Sequence, residues 1–291
     1  MRACASTNSH EIHSRSKKIE YSCEDALHAL NKVGFDAADL CFCSFARGEY
    51  PLTQPDWRNW CESIQKTAES LGIATDQAHA PFYALLPDGS ETMHDREMMQ
   101  RSIEAAHICG VKWMVFHPFQ MEENGWYSHE KSLQCNLRLF REYADICRPY
   151  GVHIAIENMV GNKNRGRRYC SGEEELIELV DTLNDPIFGI CWDFGHANLN
   201  GIDQPAALRK IGNRLHAVHV NDNKGEFDDH FAPFMGTVPW LEVMKAIKEI
   251  GYKGDWTYEI FGFHTGLPDE MQYDALEYSL RLNRYMISLA E

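Results

Sequence analysis

The chain has 291 residues, 44% hydrophobic and 24% charged, and 28 Lys and Arg stand against 43 Asp and Glu for a formal net charge of −15. That composition is ordinary for a globular protein, and no apolar run approaches the ~18 residues of a membrane span. An acidic surface of this kind discourages nucleic-acid backbones, membranes and polyanions, but it leaves room for a small anion held by a local basic cluster.

Strand-like and helical segments alternate from end to end. A short strand fits Arg2–Thr7, and Met1 leads into it with no apolar leader. Ser22 opens a helix through Val33, with Asp25 three residues on and Gly34 just past its end. Phe35–Leu40 reads as the second strand, and Asp56–Leu71 as a helix stopped by Gly72. Ile73–His79 is the third strand and Glu91–Cys109 the helix after it. Val111–His117 is the fourth strand, closed by Pro118, and Ser128–Tyr150 is helical. Val152–Glu157 is the fifth strand. Ser171 with Glu174 reads as a capping box for the next helix. Ile187–Asp193, Arg214–Val220 and Asp255–Ile260 are the remaining strands. Helices are expected near Gln204–Ile211, after Pro239 as far as Gly251, and over Pro268–Leu289. Eight such alternations with no linker predict one α/β domain over residues 1–291, a (β/α)8 TIM barrel closed by a parallel sheet. An open doubly wound sheet would need a glycine-rich phosphate loop after an early strand, and none is present.

From the third strand to the eighth, each ends in a side chain able to bind a metal: His79, His117, Glu157, Asp193, His219 and Glu259. The steps between these positions are 38, 40, 36, 26 and 40 residues, about one βα unit when roughly 250–300 residues build eight. Parity along the strands puts Ala155, Cys191, Gly189, Ala217 and Thr257 on the same face as these groups, as a crowded barrel interior requires. Glu157, Asp193, His219 and Glu259 form a mixed oxygen–nitrogen set for one divalent ion. Mn²⁺ is the first expectation, and Zn²⁺, Co²⁺ and Mg²⁺ are also compatible. His196, Asp228 and His230 add donors at the same mouth, although Glu226, Asp228 and Asp229 also read as a solvated acidic loop. Lys163, Arg165, Arg167 and Arg168 make a basic loop after the fifth strand, either solvated or an anion contact for substrate. Phe82 and Trp126 are candidate apolar walls for a sugar ring or simple loop packing. His264 has no clear assignment. Ten cysteines with no C-x-x-C and one C-x-C, Cys41 and Cys43, point to reduced thiols and a cytoplasmic protein.

The stretches Gln77-Ala78-His79-Ala80-Pro81, Phe116-His117-Pro118, Ile156-Glu157-Asn158, Asp193-Phe194-Gly195-His196, His219-Val220-Asn221-Asp222, Asp228-Asp229-His230 and Tyr258-Glu259-Ile260 resemble the xylose isomerase-like superfamily of TIM barrels. This superfamily contains sugar isomerases and epimerases and the endonuclease IV (AP endonuclease family 2) branch. Resemblance to the tagatose/psicose epimerase branch implies one metal on Glu157, Asp193, His219 and Glu259. It also implies an enediolate mechanism in which Glu157 and Glu259 move protons and His196 polarises a substrate oxygen. Resemblance to the nuclease branch implies three zincs on nine ligands, His79, His117, Glu157, Asp193, His196, His219, Asp228, His230 and Glu259. Gly236-Thr237-Val238-Pro239-Trp240 resembles the sugar enzymes, and no DNA-penetrating loop is recognised. The expectation is a metal-dependent isomerase or epimerase acting on a small sugar or polyol. A zinc phosphodiesterase, a keto-polyol dehydratase and a silent sugar-binding barrel are the alternatives. No nucleic-acid or membrane partner is expected, and homo-oligomerisation is left open.

Overall fold

The computed structural model describes residues 1–8, 22–161, 168–264 and 266–291. Eight parallel strands are β1 Ala3–Ser6, β2 Ala37–Cys41, β3 Ala74–His79, β4 Trp113–Phe116, β5 His153–Glu157, β6 Phe188–Asp193, β7 Leu215–His219 and β8 Trp256–Tyr258. They run in the order β8-β1-β2-β3-β4-β5-β6-β7. The ends of that order meet, because Val220 N donates to Thr257 O at 2.8 Å and Glu259 N to Val220 O at 3.1 Å. The sheet is therefore a (β/α)8 barrel. Helices α1 Cys23–Val33, α2 Trp57–Leu71, α3 Met93–Ile108, α4 His129–Cys147, α5 Glu173–Leu183, α6 Gln204–Ile211, α7 Trp240–Ile250 and α8 Gln272–Ala290 surround it. None of the described helices is long and apolar enough to cross a membrane.

Strand parity sorts the core into two compartments. Ile154, Ile156, Trp256 and Tyr258 join the large cluster between strands and helices, whereas Val115, Ala155, Cys191 and Ala217 form a small cluster of their own inside the barrel. Its floor is aromatic, with Trp113 stacked on His216 at 4.0 Å. At this lower end Arg2 pairs with Asp255 at 2.7 Å and Asp76 at 2.6 Å, and Lys112 with Asp76 at 2.9 Å. The ion pairs thus tie β1, β3, β4 and β8 together at the face opposite the strand ends.

Local signals behave mostly as their chemistry dictates. Ser22 and Asp25 form a reciprocal capping box, and Gly34 ends α1 in the left-handed region at φ 99. The capping box expected at Ser171 and Glu174 does not form. Gly172 is the N-cap of α5, with no side-chain cap. Cys170 turns left-handed at φ 57, and its N–H is taken by Glu175 Oε2 at 2.8 Å, so Glu175 rather than Glu174 reaches back. Two short helices, Phe194–Leu199 and Phe261–His264, and a hairpin pairing Glu122–Glu123 with Trp126–Tyr127 decorate the mouth.

Candidate active site

β3, β5, β6 and β7 end at His79, Glu157, Asp193 and His219, and β4 and β8 stop one residue short of His117 and Glu259. Because all eight strands are parallel, these six side chains rise from one rim. Glu157 is their hub. Its Oε1 lies 2.9 Å from His219 Nδ1 and 3.7 Å from His196 Nδ1. Its Oε2 lies 2.9 Å from His117 Nε2 and 3.4 Å from His79 Nε2, yet it accepts a well-formed hydrogen bond from neither. Glu259 Oε2 faces His219 Nδ1 at 3.9 Å and His230 Nδ1 at 3.7 Å. Asp228 Oδ2 stands between His230 Nε2 at 3.4 Å and His196 Nε2 at 3.6 Å. Asp193 Oδ1 lies 3.9 Å from His196 Nδ1, so all nine donors expected from the sequence belong to one network.

The histidines are aimed by their surroundings. His79 Nδ1 bonds to Ala80 O at 2.8 Å, His196 Nδ1 to Asn158 O at 2.8 Å and His230 Nδ1 to Glu259 O at 2.7 Å. A carbonyl accepts only, so each Nδ1 carries the proton and each Nε2 is presented to the site. Asp193 is held similarly. Its Oδ1 accepts from His196 N at 2.7 Å and its Oδ2 from Asn221 Nδ2 at 2.9 Å, while Asn158 clasps its backbone at 2.6 and 2.9 Å. Below the acidic loop, the buried Asp222 carboxylate collects the N–H groups of Asn223, Gly236 and Val238 and the Trp240 indole at 2.9, 3.0, 3.2 and 2.9 Å. It thereby fixes the segment that carries Asp228 and His230. The backbone of that segment also lies against Gly262, where an added Cβ would come within 1.8 Å of Asp229 O.

Electrostatics follow from this crowding. Burial alone would raise the Glu157 carboxyl, but the charges on His219 and His117 outweigh it and hold the group well below the usual range. Asp193 is pushed up to about 6 by burial, with His196 opposing. Burial disfavours charged His196 and His230, yet Asp193 and Asp228 for the first, and Asp228 and Glu259 for the second, raise them to about 10 and about 9. Asp228 itself is held far down, against burial, by the two imidazoles that face its carboxylate, His196 and His230. His79 and His219 are likewise raised against burial, whereas His117 is lowered by it.

Three donor atoms lie within 4.8 Å of one another in each of the groups His79–His117–Glu157, Glu157–Asp193–His219 and Asp39–Cys41–Glu259 among the described residues. Glu157 Oε2 and His219 Nε2 are buried without hydrogen-bond partners. A carboxylate-rich set with imidazoles, an orphaned carboxylate oxygen and pre-aimed ring nitrogens fits a divalent cation.

The site opens into a cavity of about 1180 Å³. Phe82 lines it, stacked on His117 at 5.1 Å, as do Arg47 and Arg168. Trp126, at 79% exposure, stands on the hairpin away from that lining. Arg168 has no ion-pair partner among the described residues, and burial lowers its guanidinium despite the pull of Glu157. Lys163, Arg165 and Arg167 lie outside the described residues. Sequence reasoning did not single out Asp39, Asn158 or Asn221 for a role in the site. Asp39 carried one signal, a lone charge inside the otherwise apolar β2.

The chain belongs to the xylose isomerase-like TIM barrel family, which it matches over residues 27–281. An uncharacterized protein of Methanocaldococcus jannaschii is 33% identical over 187 residues, 60% of this chain, and the chain spans 61% of that relative's length. A D-psicose 3-epimerase of Enterocloster bolteae is 30% identical over 247 residues, 81% of this chain and 76% of that protein. A probable endonuclease 4 of Mesomycoplasma hyopneumoniae is 26% identical over 153 residues, 50% of this chain and 52% of that protein. A D-tagatose 3-epimerase-like crystal structure superposes with TM-score 0.72 at 24% identity, covering 100% of this chain and 98% of that one, a likeness of fold.

Proposed function

We propose that this chain is a divalent-metal-dependent sugar or polyol isomerase or epimerase that works by proton transfer beside a carbonyl. The observation that carries the reading is the convergence of Glu157 and Glu259 on His219 Nδ1, at 2.9 and 3.9 Å, with Asp193 in the same cluster. Glu157, Asp193, His219 and Glu259 would hold the ion. Bound there, a divalent cation acts as a Lewis acid toward adjacent substrate oxygens. The two glutamates come from β5 and β8, separated in the sheet by β6 and β7, and so approach substrate from different directions. One takes a C–H proton and the other returns it, to the opposite face for epimerisation or to the next carbon for isomerisation. His196, with Nδ1 fixed on Asn158 O, presents Nε2 to a substrate oxygen. The 30% identity to a D-psicose 3-epimerase over most of both chains supports this chemistry.

A zinc phosphodiesterase is the second reading. It is favoured by the nine-donor network, above all by Asp228 set between His196 and His230. Metal content separates the two: one ion per chain supports the sugar enzyme and three zincs the nuclease. The decisive assay incubates the Mn²⁺-loaded chain with a ketose and keto-polyol panel in deuterated water. Deuterium entering a substrate carbon supports the proposal. No exchange on any substrate, with cleavage of abasic-site DNA, replaces it with the nuclease.

A further inference from the structure

His219 breaks the pattern of its neighbours. His79, His196 and His230 each spend Nδ1 on a backbone carbonyl and present Nε2. His219 presents Nδ1 to Glu157 and Glu259 instead. Its Nε2 is fully buried and without a well-formed hydrogen-bond partner, and the Cys191 thiol lies beside the ring. The nearest carboxylate to that nitrogen is Asp39 Oδ2 at 4.0 Å. Asp39 rises from β2 at 0% exposure, and neither of its oxygens has a hydrogen-bond partner. Cys41, two residues on, does not supply one, since its thiol is engaged by Ser6 Oγ at 2.9 Å. A buried carboxylate and a buried imidazole nitrogen, both orphaned, thus face each other across a gap slightly too wide for a hydrogen bond. The imidazoles of metal sites almost always donate their second N–H to an acceptor, and that acceptor fixes tautomer and ring orientation.

We propose that Asp39 is the positioning residue of His219: its carboxylate accepts the Nε2 proton and so holds Nδ1 toward Glu157 and Glu259 as an ion ligand. This rests on the metal-site reading above. The charge of Asp39 acts through the ring and makes Nδ1 a stronger donor, and Asp39 touches neither ion nor substrate. The same contact explains why an acid is placed in the apolar interior strand β2, where an alanine or valine would otherwise pack.

The test is a double-mutant cycle read by Mn²⁺ affinity, with a chelator in competition for the tighter variants and calorimetry at millimolar Mn²⁺ for the weaker. Asp39→Asn keeps the shape and removes the charge. In the wild-type background it should weaken Mn²⁺ about 10–100-fold. In a His219→Gln background it should cost almost nothing more, whereas a merely structural role for Asp39 would weaken both backgrounds alike. Should Asp39→Asn fail to fold, Asp39→Ser serves in its place, and circular dichroism of the metal-free variants checks the fold. If His219→Gln loses Mn²⁺ but Asp39→Asn binds as wild type does, the inference is wrong and the metal site stands. If wild type holds two ions and Asp39→Asn loses only one, Asp39 ligates an ion directly and the inference is also wrong. If wild type binds no divalent ion at all, the metal reading falls, and this inference with it.

Discussion

Gly195 lies so close to Asn221 that a Cβ on the glycine would sit 1.7 Å from the amide oxygen. No rotamer change confined to residue 195 can relieve that overlap, so Asn221 would have to move. Asn221 is the residue whose amide holds Asp193 Oδ2 at 2.9 Å. Gly195→Ala should therefore cost about 1–3 kcal/mol of stability by overpacking and weaken Mn²⁺ about 10–100-fold by releasing Asp193. Thermal unfolding and a chelator competition measure the two effects. Loss of stability with unchanged affinity would detach Asn221 from the site.

The proton-transfer scheme predicts unequal effects on chemistry and on binding. Glu157→Gln and Glu259→Gln variants that still hold their ion should turn over about 10²–10⁴-fold more slowly. Solvent deuterium should stop entering substrate on the side served by the missing carboxylate. Single-turnover kinetics with deuterium readout, on protein of verified metal content, is the measurement. Normal rates in both loaded variants would end the two-glutamate scheme.

The metal-free protein should lose stability as pH rises. Burial pushes Asp39 up to about 7 and Asp193 up to about 6, so from about pH 4 upward the folded chain keeps protons the unfolded chain has released. His196 at about 10 and His230 at about 9 do the same above about 6.5, joined by His79 and His219. Wherever the folded state binds more protons, unfolding free energy falls with pH. Glu157 and Asp228 are held low and act the other way only below about 4.5, and His117, lowered by burial, does so below about 6.5. The Cys43 thiol, held low chiefly by its hydrogen bond with Cys41, opposes the trend below about 9, but the four raised imidazoles outnumber it. The metal-free Tm should be highest near pH 4–6 and decline toward pH 9. Added Mn²⁺ replaces those protons, so its stabilising effect should grow with pH. Scanning fluorimetry in a chelating buffer and with manganese decides both points. A metal-free Tm that climbs from pH 6 to 9 would contradict the assignment of protons.

Arg168 gives a selectivity prediction. Its guanidinium lines the cavity with no carboxylate partner among the described residues. If it reads an anionic group, Arg168→Gln should raise KM about 10–100-fold for a phosphorylated or carboxylated ketose and leave a neutral one unaffected. Equal changes on both substrates would return it to loop packing.

The rim of the site was legible in the sequence because β-strand periodicity and barrel closure act on it directly. Donors spaced by one βα unit must end on one face, and His79, Glu157, Asp193 and His219 do. Asp39 was not legible, because its meaning depends on a ring 180 positions away and on which residue of a five-residue strand turns inward. Asp222 could not be placed either, since its donors come from a loop whose path only the folded chain defines. The Ser171 capping box failed for a similar reason. Its local pattern was sound, but the left-handed turn at Cys170 handed the role to Glu175.

Asp222 has one further consequence. With four donors on its carboxylate, the loop bearing Asp228 and His230 is tied down before any ligand arrives. The entropy lost in ordering that rim belongs to folding, not to association. A substrate entering this mouth would then meet receptor groups already in register, and differences in affinity between candidate sugars would reflect their own shapes and hydroxyl stereochemistry.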